Sequence, residues 1–588
     1  MPTLSVPRTL SARRALGALV FALVFPTGCG GDDPASTSSG SATSSTSTGN
    51  GGSGGDDGMG SHGGAGGAGV GGSGGSGGTG GAGGGGVSLC IPGETRSCYS
   101  GPPGTENVGA CASGTETCGA DGSAWEPCVG EVLPTPETCD TDLDDDCDGA
   151  TACGTGDHVW SRRFSCTMSD GADALAVSST GDLVLAGTAD ATIDFGGGAL
   201  PGNGSRDVYV ATFSPTGASL MSARFGDGAN QIANGVAVSS DGSIVLTGYF
   251  TGTLNFGGAD LTSSTDSALF IAKLDANGGH LWSHAYGQDS GGSHLGHAVA
   301  VDADDNVIVV GANGGTLDFG TGPLPTAQYS DIFVVKLDLA GNVLWARGFP
   351  DTGVASADDV AVTADGSLVI TGEHSAPVDF GGGPLPAGSY PSAFLAKLDP
   401  AGNHVWSKSF AGGGSSKAFS VAVDAADNVA LTGTFSGSVD FGAGPLTTAS
   451  LFQPGIFVAA FDPLGTATWS LGTGSMLYNQ GNSIAADGEG NWLVTGTHAG
   501  GVDFGLGELP FVNATRTDFF VAKLDPSGNA VWSKGFHSVF NDQGAAVATG
   551  AADEVYVSAL ASEAIDLGGG PLPSACSSNG IVLFQLSE

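Results

Sequence analysis

Residues 357–410 read ADDVAVTADGSLVITGEHSAPVDFGGGPLPAGSYPSAFLAKLDPAGNHVWSKSF, and this stretch decides the fold. It contains four short runs of β-forming residues. DVAVT and SLVITG are joined by ADG, a hairpin turn, and AFLAKLD and HVWSKSF are joined by PAGN, a turn with Pro and Gly. Four antiparallel strands connected in this way make one blade of a β-propeller.

The Asp-Phe-Gly triplet inside this stretch recurs along the chain. Its first position recurs every 61 or 63 residues, at Asp194, Asn255, Asp318, Asp379, Asp440, Asp503 and Asp566. Protein kinases carry the same triplet once, but this chain has no Gly-rich loop with Lys and no HRD motif. We therefore interpret the triplet as a loop anchor, in which the Phe packs, the Gly turns and the Asp or Asn caps backbone groups.

A second column has the same period and is almost always tryptophan. Its members are Trp160, Met221, Trp282, Trp345, Trp406, Trp469 and Trp532. Each can bury a large apolar area between neighbouring blades. The first strands, such as ALAVSS and GVAVSS, are made of small residues, which suits seven strands that converge on one axis. The sequence predicts an all-β fold, with a seven-bladed β-propeller of four-stranded blades over residues 157–588.

The two ends of the propeller are predicted to share one blade. The segment begins with a lone outer-type strand, HVWSRRF at 158–164, and ends after a third-type strand, GIVLFQLSE. Closure by a shared blade removes exposed sheet edges. Cys166 follows the first of these strands and Cys576 precedes the second, so both fall on one rim of the composite blade. We expect a Cys166–Cys576 disulfide; the alternatives are free thiols or pairing with other cysteines.

The repeat resembles a known family. The pattern VDFGGG…FVAKLDPSGN..W is similar to the bacterial SBBP-type β-propeller repeat, over roughly residues 157–588. The resemblance implies a seven-bladed propeller on an exported protein. It implies no set of enzymatic residues, because the motif residues of that family are structural.

The first 28 residues have the features of an export signal. Arg8, Arg13 and Arg14 precede the apolar run ALGALVFALVF, which is too short to span a bilayer. PTGC follows and resembles the lipobox of bacterial lipoproteins, with Cys29 as the lipidated residue. An ordinary signal peptide cut nearby is the alternative. We expect an outer-membrane or cell-surface lipoprotein, or otherwise an extracellular protein, that meets a membrane only through its lipid.

Two further regions precede the propeller. Residues 29–89 are nearly all Gly, Ser, Thr, Ala and Asp, which predicts a disordered linker. Residues 90–156 form a predicted disulfide module rather than a zinc site, because the chain is exported and lacks paired CxxC knuckles. Its eight cysteines leave the pairing open: Cys90, Cys98, Cys111, Cys118, Cys128, Cys139, Cys147 and Cys153.

The end of this module is strongly acidic. ETCDTDLDDDCDG resembles the end of metal-binding repeats of bacterial surface proteins, and oxygen-rich loops that end in Gly suit calcium. Calcium is the one cofactor that the sequence suggests, and a solvated acidic turn is the alternative. The candidate ligands are Asp140, Asp142, Asp144, Asp146 and Asp148.

One column of the first strands suggests a binding surface. It is expected at one mouth of the central channel and is polar in five of its seven positions; its members are Asp173, Asn234, His297, Asp358, Phe419, Asn482 and Gly544. A binding mouth is one interpretation, and a solvated rim is the other. Two histidines of HLGH, His294 and His297, could bind a metal only with a third ligand.

The composition limits the function. The chain of 588 residues has 17 Lys and Arg against 59 Asp and Glu, a net charge of -42, which disfavours nucleic acid as a partner. No GxSxG and no HExxH motif occurs, so no enzyme activity is expected. The sequence favours a monomeric binding module for a protein or polysaccharide. A propeller hydrolase or lyase and a purely structural envelope protein are the alternatives.

Overall fold

The computed structural model describes residues 90–101, 105–134, 156–164, 170–288, 290–326, 329–474, 478–512, 516–562, 564–572 and 580–588. These residues form no α-helix, and seven four-stranded antiparallel sheets dominate them. The all-β, seven-bladed prediction is therefore confirmed. Within the described residues, no helix has the length and apolar character needed to cross a membrane.

Each blade has four strands, numbered here from the channel outwards. Blade 1 comprises Gly171–Val177, Leu183–Ala189, Asp207–Phe213 and Ser219–Phe225. Blade 2 comprises Gln231–Val238, Ile244–Leu254, Leu261–Leu274 and His280–Tyr286. Blade 3 comprises His294–Val301, Val307–Asn313, Asp331–Leu337 and Val343–Phe349. Blade 4 comprises Ala355–Val362, Leu368–His374, Ser392–Leu398 and His404–Ser409.

The remaining three blades repeat the arrangement. Blade 5 comprises Ser416–Val423, Val429–Phe435, Gly455–Phe461 and Ala467–Thr473. Blade 6 comprises Asn479–Ala486, Trp492–His498, Asp518–Leu524 and Ala530–Phe536. Blade 7 comprises Gln543–Thr549, Val555–Ala561, Gly580–Leu586 and His158–Arg163. Two small hairpins lie between second and third strands, Ile193–Asp194 with Ala199–Leu200 and Ser438–Asp440 with Pro445–Thr447.

The ring is closed. Each first strand contacts the first strand of the next blade, and the first strand of blade 7 contacts that of blade 1. In blade 7 the outermost strand comes from the beginning of the propeller, and Trp160 lies opposite Gln585 of the last strand. Next to this strand, the Ser587 amide donates a hydrogen bond to the Asp157 carbonyl at 2.7 Å. The predicted shared blade is confirmed.

The Asp-Phe-Gly loops are anchors, as predicted. In blade 5 the Asp440 carboxylate accepts the amides of Gly442 at 2.7 Å and Gly444 at 3.1 Å, and the other blades repeat this cap. Phe441 is buried between Phe457 of its own third strand, 4.2 Å away between ring centroids, and Phe410 of blade 4, at 4.9 Å. The aromatic residue therefore lies between blades rather than under one.

The tryptophan column also joins neighbouring blades. The Trp345 indole donates to the Pro400 carbonyl of the next blade at 3.1 Å, and four other tryptophans repeat the bond. The ring lies against a turn glycine, Gly402, which has φ of 78° and whose added Cβ would come within 2.9 Å of Trp345. In the last such contact Gly156, from before the first strand, lies against Trp532. Ring closure thus includes the turns as well as the strands.

The cysteine module is described for residues 90–101 and 105–134. Thr95–Cys98 pairs with Gly114–Thr117, and disulfides join Cys90 to Cys118 and Cys98 to Cys128. Cys111 is also disulfide-bonded. The other predicted features lie outside the described residues: Cys29, Cys139, Cys147, Cys153, Cys166, Cys576 and the acids Asp140, Asp142, Asp144, Asp146 and Asp148.

Candidate binding site at the channel mouth

The predicted polar column coincides with a backbone irregularity. Every first strand has a β-bulge where its pairing with the second strand shifts, and a bulge redirects one side chain. The bulge residues are Asp173, Asn234, His297, Asp358, Phe419, Asn482 and Ala545. The seventh position is Ala545 and not Gly544, because Gly544 still pairs with Ala559.

These bulges lie toward the rim at which second strands end and third strands begin, which we call the mouth rim. Three of the bulge side chains bond the next blade. Asn234 donates to the Gly296 carbonyl at 2.8 Å, and Asn482 donates to the Gly544 carbonyl at 2.7 Å. His297 Nδ1 makes the same contact with the Ala357 carbonyl at 3.0 Å, so Nδ1 is the donor. Part of the predicted column therefore ties the inner strands together.

Four charged or ionisable side chains from blades 3, 4 and 5 meet at the mouth, and we call them the mouth cluster: His297, Asp358, Glu373 and Lys417. Asp358 lies 3.4 Å from His297 Nδ1 and 3.4 Å from Lys417 Nζ through its two oxygens. Lys417 Nζ also lies 3.1 Å from Glu373 Oε1. All four side chains are partly exposed, so they face water as well as each other.

Within the cluster, Asp358 and Lys417 are both stabilised in their charged forms. Burial opposes ionisation of Asp358, but Lys417 and His297 outweigh it, and the pKa of this carboxyl lies below its ordinary value. Burial also opposes the charge of Lys417, yet Asp358 and Glu373 raise the pKa of its ammonium. Phe419 lies beside this ammonium, with 5.1 Å from Nζ to the ring centroid. The ion pair thus stays charged across the neutral pH range.

Sequence reasoning did not identify Lys417 and Glu373. They stand at equivalent places of paired strands, where other blades carry mostly apolar or neutral residues. The positions equivalent to Lys417 are Gly171, Ile232, Leu295, Ser356, Gln480 and Gln543, and those equivalent to Glu373 are Thr188, Tyr249, Ala312, Thr434, Thr497 and Leu560. Comparing these two columns between repeats was the signal that could have found them.

Asp173 of blade 1 is the remaining acid of the column, and it is exposed. The protein that surrounds it raises the pKa of its carboxyl to about 6, while Arg206 acts in the opposite direction. The raised pKa sets this carboxyl apart from that of Asp358, whose pKa is lowered.

Three histidines outside the cluster are buried in the packing of their blades. His374 and His498 are fully buried, and their rings meet Phe394 and Phe520 edge-on, in the place that Phe435 takes in blade 5. His294 is buried and bonds Ser290 at 2.6 Å. Among the described residues, no group of three His, Cys, Asp or Glu side chains is arranged to hold a metal ion, so HLGH forms no such site.

Comparisons with known proteins leave the family of this chain open. No known family model matches the chain, so the resemblance to the SBBP-type repeat stays a prediction. An uncharacterized WD repeat-containing protein of Acanthamoeba polyphaga mimivirus is 22% identical over 375 residues, which cover 52% of this chain and 26% of that protein. The chain thus spans about a quarter of that relative.

Solved structures with a similar outline are remote in sequence. The WD40 β-propeller domain of Doa1 has a TM-score of 0.38 and 8% identity, covering 74% of this chain and 97% of its own. The Neurospora crassa Pan2 WD40 domain has a TM-score of 0.37 and 10% identity, covering 74% and 100%. A chain of the mitotic checkpoint complex has a TM-score of 0.41 and 10% identity, covering 74% and 93%.

Proposed function

We propose that this chain is an exported, lipid-anchored surface protein whose β-propeller is a binding module, with the mouth cluster at the centre of its binding surface. One observation carries the proposal. Four charged or ionisable side chains, contributed by three blades, converge on the mouth of the channel, and Lys417 and Glu373 have no charged equivalent in the other blades. Such a site recognises its partner by fixed charge complementarity.

The electrostatics favour binding over catalysis. A general acid or base works best with a pKa near the operating pH, and a nucleophilic lysine needs a lowered pKa. The pKa values of the two charged partners here move away from neutral pH, because that of Asp358 is lowered and that of Lys417 is raised. Lys417 remains an ammonium and Asp358 a carboxylate, which suits a docking contact rather than proton transfer.

Export is supported by two kinds of observation. The basic and apolar segments at the beginning of the chain have the pattern of a signal peptide. The disulfides Cys90–Cys118 and Cys98–Cys128 suit an oxidising compartment. Lipidation at Cys29 would place residues 29–89 as a tether between membrane and propeller. The Cys29→Ser variant should move from the membrane to the soluble fraction, and unchanged membrane association would contradict the anchor.

The binding role is tested with the full chain on a glycan array and against envelope extracts, with calcium and with a chelator. Lys417→Met removes the shared cation of the mouth cluster, and Lys408→Met, on an outermost strand, is the matched control. We expect the mouth variant to weaken binding by at least about tenfold and the control to leave it unchanged. Equal binding by both variants would show that the mouth cluster is not the centre of the site.

A further inference from the structure

Exposed apolar side chains are concentrated on one part of the mouth rim. They lie in the connections between second and third strands, and between blades, from blade 3 to the start of blade 7. Leaving aside Leu506, which belongs to an Asp-Phe-Gly loop, we call this set the apolar crescent: Tyr329, Val354, Tyr390, Leu451, Phe452, Tyr478, Phe511, Val512 and Val539. Phe452 is the extreme case, at 91% exposure. Contiguous exposed apolar groups with aromatic members are typical of protein interfaces.

The crescent carries little charge. Apart from the capping acids of the small loops, the described connections of blades 3 to 6 contain the buried acids Asp351 and Asp542 and one exposed acid, Glu508. They also contain Arg516, whose guanidinium lies 4.6 Å from the centroid of Phe540. The equivalent connections of blades 1 and 2 carry Asp190, Arg206 and Asp227, and in the described part they expose no large apolar side chain. Among the described residues, the rim therefore exposes large apolar side chains along blades 3 to 6 and none along blades 1 and 2.

Two members of the crescent, Val354 and Val512, are held by backbone contacts within the protein. Val354 forms a parallel bridge with Ser330, and its carbonyl accepts the Ser375 amide at 3.0 Å. The Val512 amide bonds the buried Asp518 carboxylate at 2.9 Å. Loops ordered by such contacts lose little conformational entropy on binding, so the apolar area can contribute to affinity.

We infer that the crescent is the docking surface for a protein with a basic contact surface, and this inference rests on the proposed binding function. The net charge of -42 attracts basic partners over a long range. At the mouth, the carboxylates of Asp358 and Glu373 outnumber the single Lys417 ammonium, so a Lys or Arg of the partner complements them there. The apolar side chains of the partner cover the apolar crescent.

A protein fits this surface better than a polysaccharide. A sugar chain presents hydroxyls on every face, and each hydroxyl that is covered without a hydrogen bond is unfavourable. The aliphatic members Val354, Leu451, Val512 and Val539 offer no such bond. Apolar side chains of a protein partner have no such requirement, and a ring of apolar contacts around a charged centre is common in protein interfaces.

A phage library of random dodecapeptides, selected on the immobilised full chain, tests the inference with a defined probe, and a glycan array is run in parallel. We expect enriched peptides to be basic and to carry aromatic or aliphatic residues, and their affinity to fall as salt rises. The crescent variant Tyr390→Ser/Phe452→Ser should weaken binding of a synthetic peptide by at least about tenfold. The control Leu220→Ser/Leu281→Ser alters exposed side chains on outermost strands and should not.

The results for the crescent variant and for Lys417→Met separate the two proposals. Binding that needs the crescent but not Lys417 supports the crescent and removes the mouth cluster from the site. Peptide binding that needs Lys417 but not the crescent supports the proposed function and overturns this inference. The inference is also overturned by acidic or neutral peptides, by glycans that bind through Tyr390 and Phe452, or by the absence of any enriched peptide. Thermal melting of each variant shows that the fold is retained.

Discussion

At the residue scale, acids of similar sequence context have opposite electrostatic roles. Asp365 is exposed in a hairpin, and bonds from Thr363 and Ser367 lower the pKa of its carboxyl to about 2. Asp542 is buried between blades 6 and 7, where it accepts the Ser538 and Ser562 amides at 2.6 and 2.8 Å. Its burial outweighs these bonds and raises the pKa of its carboxyl to about 7. The same residue type thus favours the folded state in one place and opposes it in the other as pH rises.

The Asp542→Asn substitution should change how stability depends on pH. The folded protein holds a proton on Asp542 that the unfolded chain releases at its ordinary pKa, so the wild-type free energy of unfolding falls as pH rises toward about 7. The variant lacks this term, and the stability difference between the two proteins should change between pH 5 and pH 8. Chemical denaturation at several pH values measures it. The control, Asp365→Asn, should differ from the wild type by the same unfolding free energy at every pH in that window. A constant difference for Asp542→Asn would contradict the raised pKa of Asp542.

At the element scale, each Asp-Phe-Gly loop combines a cap with an interblade wedge. Phe441→Ala should cost about 3–5 kcal/mol of unfolding free energy, since it empties a fully buried site between blades 4 and 5. Asp440→Ala removes two accepted amide bonds on an exposed loop and should cost only about 1–2 kcal/mol. Urea denaturation of both variants shows which one loses more unfolding free energy. A larger loss for Asp440→Ala would contradict the role of Phe441 in packing blades 4 and 5 together.

The turns between first and second strands show a second device. In blades 3, 5 and 7 an Asp occupies the left-handed position that Gly takes in other blades, and it accepts an amide from the preceding blade. Asp427 has φ of 62° and accepts the Ala364 amide at 2.8 Å. Asp427→Ala should be less stable than Asp427→Gly by about 1 kcal/mol, because only Ala adds backbone strain. Gly366→Ala, at the equivalent turn of blade 4, measures that backbone strain alone. Equal stabilities of the two Asp427 variants would contradict the strain at this position.

The elements were predictable from the sequence, and the mouth cluster was not. The period of the Asp-Phe-Gly and Trp columns predicts the blades, because each column records a contact that every blade repeats. Lys417 and Glu373 break their columns, and their meeting with Asp358 depends on the bulge and on how adjacent blades are rotated. Neither of these is visible in the spacing of one repeat. The seventh position, by contrast, was visible in the spacing, because Ala545 precedes Asp566 by the same interval by which Asn482 precedes Asp503.

At the scale of the whole molecule, stability depends on the strand His158–Arg163. It covers the edge of Gly580–Leu586, and Trp160 reaches across to the Pro215 carbonyl of blade 1 at 2.9 Å. Phe164 then lies against Phe195 and Phe213 of blade 1. One short segment therefore completes blade 7 and joins it to blade 1. Without it the ring would have an open interface and an exposed strand edge, which invites association between molecules.

A complementation experiment follows from this geometry. A chain that starts after residue 164 should melt at a lower temperature than the full chain and should associate in sedimentation experiments. Adding the peptide GDHVWSRRF, residues 156–164, should restore both properties, because this strand joins blade 7 by backbone pairing with Gly580–Leu586. The peptide with Trp160→Ala should bind more weakly, since it loses the indole bond to Pro215 and its packing near Tyr556. A shortened chain that is as stable and monodisperse as the full one would show that the ring does not need this strand.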